Sequence, residues 1–121
     1  MSEANQRRCC RSVDGALDVL LPEVRIANTF MSRLIGLLSR SSLGHNEGLL
    51  ITPCTSIHTF FMRFPIDVVF LDGNNRVLGF SAMIKPNRVR LAPSGTKSVL
   101  EVAEGNVTRT GIRLDDILIF D

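Results

Sequence analysis

From Gly48 to the C-terminus, apolar residues recur every second position in short runs separated by turn residues, at 49–51, 57–62, 66–71, 77–84, 99–103 and 117–120. A period of two puts successive side chains on opposite faces of an extended chain, so these runs predict strands and exclude an all-helical fold. Asp72-Gly73-Asn74-Asn75, between two of them, is a hairpin signal. Residues 85–97, with Pro86, Pro93 and Gly95, read as a long loop, and 103–114 as a short helical turn. Upstream the period changes. Phe30, Met31, Leu34, Ile35, Leu37 and Leu38 fall at helical spacing, with Ser32, Arg33, Ser39 and Arg40 on the other side and Asn28 or Thr29 as N-cap. The spacing predicts a helix over 29–39. Gly36 inside it costs about 1 kcal/mol against Ala, which predicts a close backbone neighbour. Residues 13–27 give short strand pieces broken at Pro22, while 1–12, polar and arginine-rich, read as a disordered basic tail. The expected fold is α+β: a small β-rich, partly closed barrel of about seven short strands, with the 29–39 helix packed on it, as a single domain over 13–121.

The chain has 121 residues, of which 45% are hydrophobic, enough for a compact core. No apolar run approaches the roughly 20 residues of a bilayer span, and the N-terminus shows no signal-peptide core, so a cytoplasmic address is expected and no membrane partner. Three cysteines, Cys9, Cys10 and Cys54, do not make a disulfide framework. Net charge is +2, carried by twelve arginines and two lysines, and Trp and Tyr are absent. Nucleic-acid binding is therefore not expected. A monomer is expected.

Chemistry concentrates in PCTSIHTFFMRFPIDVVFLDG, residues 53–73, where polar groups sit inside a strand-like apolar run. Buried polar groups must be hydrogen-bonded, paired or used. If 57–62 and 66–71 pair across a turn at Arg63 and Phe64, His58 and Asp67 share a face. A carboxylate there would orient the imidazole, or the two would simply satisfy each other. Cys54 with His58 invites a thiol nucleophile, but four extended residues span about 13 Å, so the two meet only if 53–56 turns. The same distance weakens a metal pair completed by Asp67, Glu101 or His45, and no metal or cofactor is expected. Arg33 can reach a carboxylate such as Glu101 in a bidentate pair, and Glu101, on a strand beside Leu100 and Val102, needs a partner for its inward face. Met62 and Phe60 are core candidates.

ANTFMSRLIGLLSR, then GLLITPCTSIHTFFMRFPIDVVFLDGNNRVL, then VLEVAEGNVTRTGIRLDD, in that order, resemble the domain-of-unknown-function family 192 over about residues 24–120. The resemblance implies a compact, barrel-like β-rich fold with a packed helix, found in bacteria and archaea, with no assigned reaction. Its polar set falls here on Arg33, His58, Asp67, Glu101 and Asp116. Two departures are visible: Asn28 where an aspartate is usual, and Asp115 where glycine is usual, which predicts an altered turn.

Three functional classes follow. The favoured one is a non-enzymatic binding or accessory domain for a small anionic ligand or a peptide, using Arg33, His58, Asp67 and Glu101 with Arg88 and Arg90 of the 85–97 loop. The second is a small Cys/His-based or metal-assisted hydrolase built on Cys54, His58 and Asp67. The third is a protein interaction module acting through a sheet edge.

Overall fold

The computed structural model describes residues 6–121. Nine strands and two short helices follow one another: β1 (Gln6–Val13), β2 (Ala16–Ala27), α1 (Phe30–Ile35), β3 (Glu47–Ile51), β4 (Ser56–His58), β5 (Ile66–Leu71), β6 (Val77–Ile84), β7 (Val89–Leu91), β8 (Ser98–Ala103), α2 (Asn106–Thr110) and β9 (Leu118–Phe120). Seven strands form one mixed sheet in the order β6-β5-β8-β3-β2-β1-β9, and β4 pairs with β7 in a separate ribbon. All neighbours are antiparallel except β2 and β3. The sheet is not a closed barrel. Its two end strands approach at one isolated bridge, Arg76 to Ile117, flanked by Val77 N–H to Asp116 C=O at 2.8 Å and Leu118 N–H to Asn75 C=O at 2.9 Å.

Every residue of β5 and β8 is buried, because both faces of the sheet are covered there. Alternation then sorts the side chains into two cores. Val69, Leu71, Leu100 and Val102 face one, with Leu21 and Val24 of β2 and Val107 of α2. Ile66, Val68, Phe70 and Val99 face the other, with Leu49, Ile51, Ile57 and Met62. The turn at 72–75 forms as its sequence predicts: Asp72 accepts the Asn74 and Arg76 amides at 2.8 and 3.0 Å, and Asn75 takes φ 63°.

Four expectations need correction. Residues 6–12 are not a frayed tail but most of β1, with Cys9 and Cys10 fully buried; the reading of 1–5 lies outside the described residues. Pro22 does not break the strand: β2 runs through it, and its missing N–H falls at the register shift where Arg7 faces Val24 but Cys9 faces Leu21. The 57–62 strand stops at His58, and β4 pairs with β7 from within the supposed loop, not with β5. The helix is the fourth case. Thr29 caps it in a capping box with Ser32, but it ends at Ile35 because Gly36 takes φ 49°. A Cβ on Gly36 would meet only the Arg33 carbonyl oxygen at 3.8 Å, so positive φ, not a tight neighbour, requires the glycine. Asp115, where the family usually has glycine, takes φ 69°.

Candidate functional site

A six-residue helix cannot cover the second core face, and none of its residues is buried. Phe30, Leu34 and Ile35 remain 71%, 58% and 44% exposed, and it is the turn after α1 that reaches the core, through buried Leu37 and partly buried Leu38. Between α1 with that turn on one side and residues 53–58 on the other lies a groove of about 380 Å³. Ile51, Ile57 and Met62 line it deeper in, and Arg33, Cys54, His58 and Glu101 supply its chemically distinctive groups. An apolar cleft of this size with a few convergent polar groups has the anatomy of a small-ligand site.

Glu101 is the deepest of these groups. Its ladder partners on β3 and β5 are Leu49 and Val68, and only 4% of its surface is exposed. Burial alone pushes its carboxyl up to about 7, with no bonded or charged neighbour acting on it. Among the described residues no enclosed side-chain oxygen or nitrogen lacks a hydrogen-bond partner. An unpaired Glu101 carboxylate therefore opens into the groove that it lines.

The other polar groups sit nearer the solvent. Arg33 does not pair with Glu101: its Nη1 donates to the Pro53 carbonyl at 3.1 Å and its Nε to the Thr29 carbonyl at 3.4 Å. Residues 53–56 do turn, bringing Cys54 and His58 to one groove, with the Cys54 thiol 2.9 Å from the Ser56 carbonyl oxygen. Burial raises the Cys54 thiol, and the Glu101 charge adds to the rise while Arg33 opposes it. That is opposite to the lowered pKa that activates a nucleophilic thiol. His58 is exposed and stacks on Phe60, centroids 5.5 Å apart. Met62 is core, as its sequence predicts, whereas Phe60 is 41% exposed.

The other predicted polar residues, Asp67, Arg88, Arg90 and Asp116, lie elsewhere. Asp67 is fully buried on the opposite face of the sheet from Glu101, where Oδ1 accepts from Met83 N–H at 2.8 Å and Oδ2 from Gly105 and Val107 N–H at 3.1 and 3.0 Å. Those bonds satisfy the start of α2 and the Met83 position, where φ is 54°. The supposed His58–Asp67 pair fails because β5 pairs with β6 and β8, not with β4. Arg88 and Arg90 do not line the groove, and their guanidinium groups bond local carbonyls of residues 86, 87 and 89. Asp116 ties the two ends of the chain: it accepts from Arg11 Nη1 and Arg113 N–H, both at 2.9 Å, which against its partial burial hold its carboxyl below the ordinary range.

Sequence reasoning missed the apolar wall of the groove. Phe30, Leu34 and Ile35 have the spacing of a core stripe, and the one sign that α1 ends before covering anything is Gly36. Among the described residues no three His, Cys, Asp or Glu side chains are grouped to hold a metal ion. No described helix is long and apolar enough to cross a membrane.

The architecture is that of a mostly β, α+β domain built on a mixed sheet. The chain belongs to the DUF192 family, described as "Uncharacterized ACR", whose model matches residues 11–120. A UPF0127 protein of Pyrococcus horikoshii, PH1112, is 37% identical over 86 residues, covering 69% of this chain and 74% of its own. Another, TK1120 of Thermococcus kodakarensis, is 33% identical over 98 residues, covering 70% and 62%. Two crystal structures share the fold. One, a protein of unknown function from Novosphingobium aromaticivorans, has a TM-score of 0.79 at 24% identity, over 93% of this chain and 83% of that one. The other, from Sinorhizobium meliloti, has a TM-score of 0.82 at 21% identity, over 95% and 92%.

Proposed function

We propose that this chain is a non-enzymatic binding domain whose groove between α1 and β4 holds a small ligand with an apolar body and one polar head. The observation that carries the reading is Glu101, a carboxylate nine-tenths buried, without a partner, at the base of the groove beside Ile51, Ile57 and Met62. A buried polar group without a partner costs about 1–3 kcal/mol, more when charged. A ligand that fills the cleft and satisfies Glu101 offsets that cost. The apolar side chains of α1 would supply the hydrophobic share, at about 25 cal/mol per Å² removed from water. The thiol-hydrolase reading gains no support from a Cys54 whose pKa is raised.

The test is a titration of short-chain amphiphiles followed by 15N–1H NMR on the full chain. The expected result is a set of shifted amides confined to residues 30–38, 51–58 and 101. Leu34→Asp, which charges an exposed groove wall, should abolish them while leaving the fold intact. Shifts scattered over the surface, or none, would overturn the reading.

A further inference from the structure

Resting on that reading, we infer that the polar head is a hydrogen-bond-donating cation, a primary ammonium on an apolar stem, and that Glu101 is the residue that recognises it. This differs from the anion that Arg33, His58 and the basic 85–97 loop suggest in sequence. The geometry puts only the 85–97 loop outside the cleft; Arg33 and His58 line it, His58 exposed and stacked on Phe60. Arg88 and Arg90 are outside it, and Arg33 is held by the carbonyls of Thr29 and Pro53. What remains deep in the cleft is an acceptor with no donor, flanked across the ladders by Leu49 and Val68. An anionic head placed there would meet like charge in a poorly solvated site, which is strongly unfavourable. A neutral head such as a hydroxyl would supply one hydrogen bond but no charge. An ammonium supplies up to three donors and the compensating charge, and charge-assisted bonds are roughly twice as strong as neutral ones. The stem then lies against Leu34, Ile57 and Met62, all of which line the same groove.

Recognition of this kind depends on pH, because only the ionised carboxylate attracts the cation. The groups facing Glu101 across the groove are Arg33 from α1, Cys54 from the turn before β4 and His58 from β4. Arginine stays charged throughout, and the raised thiol stays neutral below pH 8. His58 is the one imidazole that lines the groove, so His58→Gln is the needed control. With Glu101 titrating at about 7, its ionised fraction falls about tenfold from pH 8 to pH 6, and ammonium affinity should fall with it.

The probes are hexylammonium, hexanol and hexanoate, which share a stem and differ in head, each titrated against the full chain by 15N–1H NMR. At pH 8 the inference expects hexylammonium to bind at least tenfold more tightly than hexanol, with hexanoate weakest. Glu101→Gln should bring hexylammonium down to the hexanol level and leave hexanol unchanged. The roughly tenfold loss for hexylammonium between pH 8 and pH 6 should persist in His58→Gln; this series uses native Glu101 and decides the matter even where Glu101→Gln fails to fold. Hexanol or hexanoate binding in the groove as tightly as hexylammonium, or hexylammonium binding insensitive to Glu101→Gln or to pH, overturns the ammonium inference and leaves the groove reading standing. No groove amide responding to any of the three overturns both.

Discussion

Replacing Glu101 by Gln should make the protein more stable at neutral pH, and the gain should disappear in acid. In the unfolded chain a glutamate carboxyl titrates near its ordinary 4.5; in the fold, burial pushes it up to about 7. Below pH 4.5 both states hold the proton and Glu101 exacts no pH-dependent penalty. As pH rises through that window the unfolded state releases its proton first, so the folded state loses stability until pH passes about 7. At about 1.4 kcal/mol per pH unit the full penalty is about 3 kcal/mol, most of which accrues between pH 5 and pH 8. For a domain of this length that is roughly 10 °C in melting temperature. The assay is urea or thermal unfolding of wild type and Glu101→Gln at pH 5 and pH 8. Other titrating groups are common to both proteins and cancel, so the change in the difference isolates Glu101. A stability difference that varies by less than about 1 kcal/mol between the two pH values would refute the burial argument.

Asp67→Ala should cost about 3–5 kcal/mol in urea unfolding, because it strands the Met83, Gly105 and Val107 amides together; a loss under 1 kcal/mol would show that water replaces the carboxylate. Asp115→Gly should stabilise by about 0.5 kcal/mol, since glycine adopts φ 69° without a Cβ penalty and the side chain is largely exposed. A lower melting temperature would mean that the weak Arg76 contact, at 4.0 Å, matters more than the backbone. Cys54 should alkylate with iodoacetamide at pH 7.5 at least tenfold more slowly than a free cysteine peptide, by peptide-resolved mass spectrometry, because burial raises its thiol. A rate at or above that of the free peptide would reopen the nucleophile reading.

The strands were legible in sequence because period two and turn residues point the same way at β5, β6 and β8, and β5 and β8 are in addition buried apolar runs. The Asp72–Asn75 hairpin was legible for a local reason, since φ preferences act within a few residues; the turn at Asp115 was legible only through the family resemblance, which implies glycine there. Pairing was not. Whether β4 lies on β5 or on β7 depends on contacts about 30 residues away, with Thr59 bonding the Lys85 carbonyl at 2.6 Å and its amide reaching Arg88. The misplaced His58–Asp67 pair follows from that single choice of partner. β1 was hidden by composition: its arginines point outward or, like Arg11, reach Asp116 at the other end of the chain, while Cys9 packs into the core and Cys10 is buried beside Asp121. The apolar stripe of α1 is legible as a stripe but its fate is not, since nothing local distinguishes a helix that covers a sheet from one that stands at the edge of a cleft.

Two buried carboxylates on adjacent central strands show why the candidate site belongs to Glu101. Asp67 on β5 and Glu101 on β8 are each at most 4% exposed, and both sit among Val, Leu and Ile on a two-sided core. Asp67 is met by three backbone amides from two other elements, the pattern of a group retained to fix a fold. Glu101 is met by none, on the face that the groove beside a truncated helix reaches. A residue kept only for stability would be a leucine there, matching Leu49 and Val68 across the ladders and removing a penalty of about 3 kcal/mol. An unpartnered acid at the base of an open apolar cleft has its compensation in what enters the cleft, and that is the physical content of the binding function proposed for this chain.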